Sequence, residues 1–125
     1  MATVLVVEDE ESIMTMLEAR LRKAQYKIIE ATTLEMAQEK TAQSGTPDLA
    51  LIDLYLSDTY TYAEGIEACR WAKDDLGIPV IAMSAFLERD VRQKAAVVSD
   101  AILRKPEDLQ LIIPTIEELL TQGAD

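Results

Sequence analysis

The chain has 125 residues, enough for one domain (1–125) with one core, and it carries 12 Lys and Arg against 23 Asp and Glu. This balance gives a net charge of −11, which repels nucleic acid and anionic membranes, so we expect no direct nucleic-acid binding and no membrane insertion. The sequence contains no histidine and one cysteine, which excludes Ser-His-Asp and Cys-His catalysis, the common zinc sites and an internal disulfide.

Strand and helix patterns alternate along the whole chain. The predicted strands lie at about residues 3–7, 27–31, 49–53, 79–83 and 101–103. The predicted helices lie at about residues 11–24, 33–43, 64–75, 88–98 and 109–120. Because the runs at 3–7 and 49–52 are almost wholly apolar, we expect these strands to be buried on both faces, which indicates a parallel sheet between two layers of helices.

Two local signals refine the helix boundaries. Thr32 and Glu35 have the spacing of a capping box, which predicts Thr32 as the N-cap of the second helix. Pro114 interrupts the last helical pattern, and it predicts either a kink or a regular helix that begins near this residue.

Acidic residues follow two of the predicted strands at the point where each strand ends. Glu8 and Asp9 come directly after the first strand, and Asp53 ends the third. The carboxyl ends of parallel strands form the ligand-binding edge of such a sheet, so the three carboxylates are expected to meet there. At ~5 Å and an effective dielectric of ~20, each pair repels by roughly 3 kcal/mol. A hard divalent cation would explain the cluster.

Two more polar residues fall at the same edge. Ser84 follows the fourth strand, and Lys105 with Pro106 follows the fifth. Taken alone, each has an ordinary structural explanation, since serine and aspartate commonly cap helices or form turns and most lysines are simply solvated.

Taken together, these residues resemble the receiver domain of two-component response regulators, of the stand-alone CheY-like type. The matching segments are Val-Val-Glu-Asp-Glu at 6–10, Leu-Ile-Asp-Leu at 51–54, Val-Ile-Ala-Met-Ser-Ala at 80–85 and Leu-Arg-Lys-Pro at 103–106. The resemblance implies a doubly wound, flavodoxin-like α/β fold with strand order 2-1-3-4-5, an order that is well known from this same family.

The resemblance also implies a role for each polar residue. Asp53 would accept a phosphoryl group from a histidine kinase or a histidine phosphotransfer protein. Mg²⁺, or Mn²⁺ in its place, would be bound by Glu8, Asp9 and Asp53 and by the carbonyl of Tyr55. Phosphorylation would then be read by a downstream protein target at the surface of helix 4, strand 5 and helix 5.

Three further residues complete the implied site. The side chains of Ser84 and Lys105 and the backbone N–H of Ala85 would bind the phosphoryl oxygens. The resemblance implies a signalling module with slow Mg²⁺-dependent autodephosphorylation and not a metabolic enzyme. The chain has a single cysteine, Cys69, and residues 1–3 lead directly into the first predicted strand without the pattern of a secretory signal. We therefore expect a cytoplasmic location.

The sequence departs from the family pattern in two places. Many receivers have Tyr or Phe three residues before the lysine as the switch partner of the serine, but this chain has Ile102. The resemblance implies Ser84 and Ile102 as the switch residues, and Ile102 would repack with no hydroxyl to expose. Residues 58–62 are read as an insertion between Asp53 and Gly65. The alternative function is therefore a degenerate receiver that acts only as a protein-docking module, and the chain either acts alone or is part of a longer protein.

Overall fold

A computed structural model describes residues 1–56 and 61–122 of the chain. The strands are β1 (Thr3–Val7), β2 (Lys27–Ala31), β3 (Leu49–Asp53), β4 (Val80–Ser84) and β5 (Ala101–Arg104). The α-helices are α1 (Glu11–Lys23), α2 (Leu34–Ser44), α3 (Ala63–Arg70), α4 (Arg89–Val98) and α5 (Ile112–Gln122). A π-helical segment, Trp71–Asp75, continues α3, and a 3₁₀ turn, Leu109–Leu111, precedes α5.

The strands form one parallel sheet in the order β2-β1-β3-β4-β5, which confirms the predicted fold class. Successive side chains of each strand point to opposite faces of the sheet, so each face has its own apolar core. Leu5 and Val7 face the core that includes Ala68 of α3. Val4 and Val6 face the core that includes Leu17 of α1 and Ile112 of α5. The result is a three-layer sandwich whose central strand, β3, is completely buried.

The beginning of α2 differs from the sequence-based prediction. The N-cap is Thr33 and not Thr32, because the Thr33 hydroxyl accepts a hydrogen bond from the backbone N–H of Met36 (3.1 Å). The capping-box prediction was therefore wrong by one residue. A second backbone N–H at the start of α2, that of Leu34, has its acceptor on another helix. The Glu64 carboxylate of α3 accepts from this N–H at 3.0 Å. This contact joins residues 30 apart in the chain, so the local sequence pattern could not predict it.

Helix α3 packs unusually close to the end of β3. A Cβ added at Gly65 would lie 2.1 Å from the carbonyl oxygen of Leu54, so only glycine allows this approach. Together, Gly65 and Glu64 fix the first turn of α3 against Leu54, the residue after Asp53, and against the start of α2.

The last helix begins late, as one of the two interpretations of Pro114 predicted. Helix α5 starts at Ile112, which places Pro114 in its first turn, where a missing N–H removes no intrahelical hydrogen bond. None of the helices in the described part of the chain has the length and apolar character needed to cross a bilayer.

Candidate functional site

The ends of β1 and β3 bring three carboxylates together. One carboxylate oxygen from each of Glu8, Asp9 and Asp53 lies within 4.8 Å of the other two. Glu8 and Asp53 are almost completely buried, with 1% and 4% of their surface exposed, whereas Asp9 is exposed. The parallel register produces this meeting, because it pairs Val7 of β1 with Ile52 of β3, one residue before the acid on each strand.

Lys105 places an ammonium group against the buried acids. Its Nζ donates to Glu8 Oε2 at 2.9 Å and to Asp53 Oδ2 at 3.1 Å. The Lys105 side chain is itself buried, and its peptide bond to Pro106 is cis. With all groups ionised, three carboxylates and one ammonium leave two negative charges, the charge that a divalent cation neutralises.

Backbone N–H groups hold the other oxygens of the two buried acids. Asp53 Oδ1 accepts from the N–H of Tyr55 at 3.2 Å, and Glu8 Oε1 accepts from the N–H of Glu10 at 3.1 Å. Each acid therefore has one oxygen toward Lys105 and the other toward its own following loop. These contacts fix both side chains, while carboxylate oxygens retain further lone pairs for a cation.

The electrostatics of this cluster favour uptake of positive charge. Burial, together with the nearby charge of Asp53, raises the pKa of Glu8 to about 7. Burial also raises the pKa of Asp53, and the ammonium of Lys105 only partly offsets it. For Lys105, burial opposes the charged form, but the two carboxylates outweigh it and raise the pKa of the ammonium. The buried acids hold protons readily, and a bound cation would compete with those protons.

A cavity of about 370 Å³ opens beside the carboxylates. Its lining includes Asp9, Asp53, Tyr55, Ala85 and Lys105. Five of the residues predicted from the sequence therefore border one space, which is large enough for a phosphoryl group and several water molecules.

Ser84 lies at the same edge, but its hydroxyl is bonded within its own loop. This hydroxyl donates to the carbonyl of Phe86 at 2.7 Å and accepts from the N–H of Phe86 at 3.0 Å. The Ser84 side chain is fully buried. This local turn is the ordinary structural role that the sequence also allowed for serine at this position.

Tyr55, Tyr62 and Phe86 form an aromatic cluster, of which Tyr55 and Phe86 line the cavity. The Tyr55 ring packs edge-on against Tyr62 (centroids 6.0 Å apart) and against Phe86 (5.9 Å). Sequence reasoning placed Tyr62 in the 58–62 insertion without predicting its contact with Tyr55, and it missed Phe86, whose only signal was an aromatic residue two positions after Ser84. Residues 57–60, which hold most of the predicted 58–62 insertion, lie outside the described residues.

Ile102 occupies the strand position where many receivers have an aromatic residue. It is half-buried on β5, pairs with Ala82 of β4, and packs against the core that contains α3 and α4. The aliphatic side chain therefore acts as part of the core, and it has no hydroxyl to expose or bury.

Comparison with protein families gives a match to the response regulator receiver domain over residues 4–117. The chain is 31% identical to the phosphate regulon transcriptional regulatory protein PhoB of Pseudomonas aeruginosa over 122 residues, which cover 94% of this chain and 51% of that protein. It is 35% identical over 107 residues to the KDP operon transcriptional regulatory protein KdpE of Escherichia coli, covering 85% of this chain and 45% of that one. The chain thus spans about half the length of these curated relatives.

Solved structures show the same fold. A two-component response regulator from Clostridium difficile superposes with a TM-score of 0.87 at 21% identity, covering 100% of both chains. A CheY-like response regulator receiver domain protein from Methanospirillum hungatei gives a TM-score of 0.84 at 22% identity, covering 98% of this chain and 95% of that chain.

Proposed function

The chain belongs to the response regulator receiver domain family, and from that premise we propose that it is the phosphorylation-switched module of a two-component or phosphorelay system. Receiver domains are signalling domains that accept a phosphoryl group on an aspartate. The observation that carries the proposal is the buried contact of Lys105 with both Glu8 and Asp53 beside an open cavity.

Asp53 is the proposed phosphoacceptor. One of its carboxylate oxygens attacks the phosphorus of a phosphohistidine on a histidine kinase or a phosphotransfer protein; a P–O bond forms as the P–N bond breaks and the imidazole leaves. The two hydrogen bonds of Asp53, from Lys105 Nζ and from the N–H of Tyr55, support this role because they hold the attacking carboxylate in one orientation.

The donor set fits Mg²⁺, with Mn²⁺ as a possible substitute. Glu8, Asp9 and Asp53 offer hard oxygen ligands, the carbonyl of Tyr55 would add another, and the cluster has a net negative charge to neutralise. When bound, the ion supplies the positive charge that lets an anionic donor approach the acids.

Lys105, Ser84 and the N–H of Ala85 are the proposed phosphoryl-binding groups. Lys105 is already at the cavity, so a new phosphoryl oxygen can replace one of its carboxylate contacts. Ser84 has to release the hydrogen bond that it donates to the carbonyl of Phe86 before its hydroxyl can donate to a phosphoryl oxygen. Phosphorylation would therefore move the loop after β4, and this movement would alter the surface of α4, β5 and α5 that a downstream target reads.

The alternative of a degenerate receiver that only docks other proteins has less support. The acids, the lysine and the serine implied by the resemblance all occur in order, and four of these five side chains are buried at one edge of the sheet. Slow autodephosphorylation, the absence of a metabolic activity and a cytoplasmic location remain predictions.

The test is phosphorylation by acetyl phosphate with Mg²⁺, followed by measurement of the intact mass. We expect the wild-type protein to gain one phosphoryl group, and Asp53→Asn to gain none, because the amide is not a nucleophile of comparable strength. Asp74→Asn, a change at an exposed acid, is the matched control and should be phosphorylated like the wild type. A gain of mass in Asp53→Asn, or none in the wild type, would contradict the proposal.

A further inference from the structure

A second concave surface lies between α3 and α4, away from the acidic cavity. This α3–α4 groove has a volume of about 450 Å³ and is lined by Tyr62, Ala63, Ile66, Arg70, Lys94 and Val97. It shares none of these residues with the cavity beside Asp53.

The groove exposes apolar surface that the fold itself does not use. Val97 is 76% exposed, although its neighbours Ala95 and Val98 on α4 are buried in the core. Across from it, Ile66 of α3 is half-buried. Apart from Met1, no described large apolar residue is more exposed than Val97. This surface is suited to receive one apolar side chain of a binding partner.

The charge of the groove is opposite to that of the chain. Among the residues that the structure describes, Arg70 and Lys94 line it and no acidic residue does, whereas the whole chain has a net charge of −11. The Lys94 ammonium lies 5.3 Å from the centre of the Tyr62 ring, which holds it at the groove wall. The nearby Asp90 carboxylate accepts from the Tyr62 hydroxyl at 2.9 Å. Within the described part of the chain, the Arg70 guanidinium makes no hydrogen bond or ion pair.

We propose that the α3–α4 groove binds an acidic segment of a partner protein, in which carboxylates flank one apolar side chain. The apolar side chain packs against Ile66 and Val97, and the carboxylates pair with Arg70 and Lys94. Charge complementarity selects this partner, since a basic segment would be repelled by both cations and a nucleic acid by the acidic remainder of the surface. This binding goes beyond the proposed phosphorylation and needs no modification of Asp53.

The test is selection from a library of random short peptides displayed on phage, using the unphosphorylated protein. The library is counter-selected on the double variant Arg70→Gln/Lys94→Gln, whose altered side chains are exposed and so leave the core intact. We expect the enriched peptides to contain acidic residues around Leu, Ile or Phe. Synthetic versions should shift the amide NMR signals of Ile66 and Val97.

Affinity measurements on the variants make the test specific. Loss of two exposed ion pairs should weaken the selected peptides about tenfold in the double variant. Arg92→Gln removes an exposed cation of α4 that does not line the groove, and it should bind them like the wild type.

The proposal is overturned if no peptide is enriched, if the enriched peptides lack acids, if they shift signals on another face, or if Arg92→Gln weakens them as much as the double variant. Self-association of the protein that the double variant abolishes would instead identify the groove as a dimer interface, and it would also overturn the proposal. Because Asp53 has no part in this experiment, its failure would leave the phosphoacceptor proposal standing.

Discussion

Lys105 and Ser84 stand at neighbouring positions of the same sheet edge, yet they are bonded very differently. The backbone N–H of Lys105 donates to the carbonyl of Ser84 at 2.9 Å, so the two residues are adjacent across β4 and β5. The Lys105 side chain reaches into the site and contacts both buried acids. The Ser84 hydroxyl instead completes a turn with Phe86.

The difference follows from charge. Buried carboxylates need a compensating positive charge in every state of the protein, so the Lys105 side of the site is assembled before any ligand arrives. A neutral hydroxyl needs only hydrogen-bond partners, and a local turn provides them. Such a hydrogen bond contributes about 1 kcal/mol net to the free energy of unfolding. The Ser84 side can therefore exchange partners easily, whereas the Lys105 side cannot lose its cation without leaving buried charge unpaired.

The largest expected effect is the loss of the ammonium group. Lys105→Met leaves Glu8 and Asp53 buried together without their partner, and we expect the free energy of unfolding near neutral pH to fall by about 3–5 kcal/mol. Urea denaturation measures this change. The matched control is Lys73→Met, which breaks the more exposed pair with Asp100 and should cost at most about 1 kcal/mol. Equal losses in the two variants would show that the buried lysine has no special role.

A second effect is a dependence of stability on pH through Glu8. The pKa of Glu8 is about 7 in the folded protein, against an ordinary value of 4.5 for a glutamate side chain. Between pH 4.5 and pH 7 the folded state therefore binds more protons than the unfolded state. The free energy of unfolding should therefore fall as pH rises from 4.5 to 7 without divalent cations, by up to about 3 kcal/mol.

Glu8→Gln isolates this contribution, because the amide does not titrate. Denaturation at several pH values should show a smaller decline across this window for the variant than for the wild type. The Glu67→Gln variant, changed at an exposed acid away from the site, serves as control and should follow the wild type. A decline that is as steep in Glu8→Gln would assign the pH dependence to other groups.

The smallest expected effect belongs to the serine. Ser84→Ala should lower the free energy of unfolding by only about 1 kcal/mol, since it removes two hydrogen bonds to a loop and no charge. Hydrogen exchange should be faster at the amide of Phe86, which loses its acceptor. Ser99→Ala, whose hydroxyl donates to the carbonyl of Ala95 at 2.6 Å, is the control and should leave the Phe86 amide unchanged. A stability loss as large as that of Lys105→Met would remove the proposed distinction between the two sides.

The sequence predicted the structure correctly where the pattern of neighbouring residues decides it. The apolar strands predicted the parallel sheet, and the acids directly after them predicted the meeting of Glu8, Asp9 and Asp53. The N-cap of α2 was placed one residue too early: Thr33 and not Thr32 accepts from the Met36 N–H, and the Leu34 N–H finds its acceptor in Glu64 of another helix, which no local pattern indicates.

The local sequence pattern also could not predict the direction of the Ser84 hydroxyl. A serine after a strand can bond to its own loop or to a ligand, and the loop that carries Phe86 decides between them. The contact of Tyr55 with Phe86 joins residues 31 apart in the chain, so residue spacing contains no signal for it.

The anchoring of α3 has a consequence for protein engineering. Gly65 against the Leu54 backbone and Glu64 on the Leu34 N–H hold the first turn of this helix in place. Segments of different length grafted between Leu56 and Thr61 should therefore leave the position of Asp53 unchanged. That makes this connection a suitable place to insert a reporter or to exchange recognition sequences between related proteins.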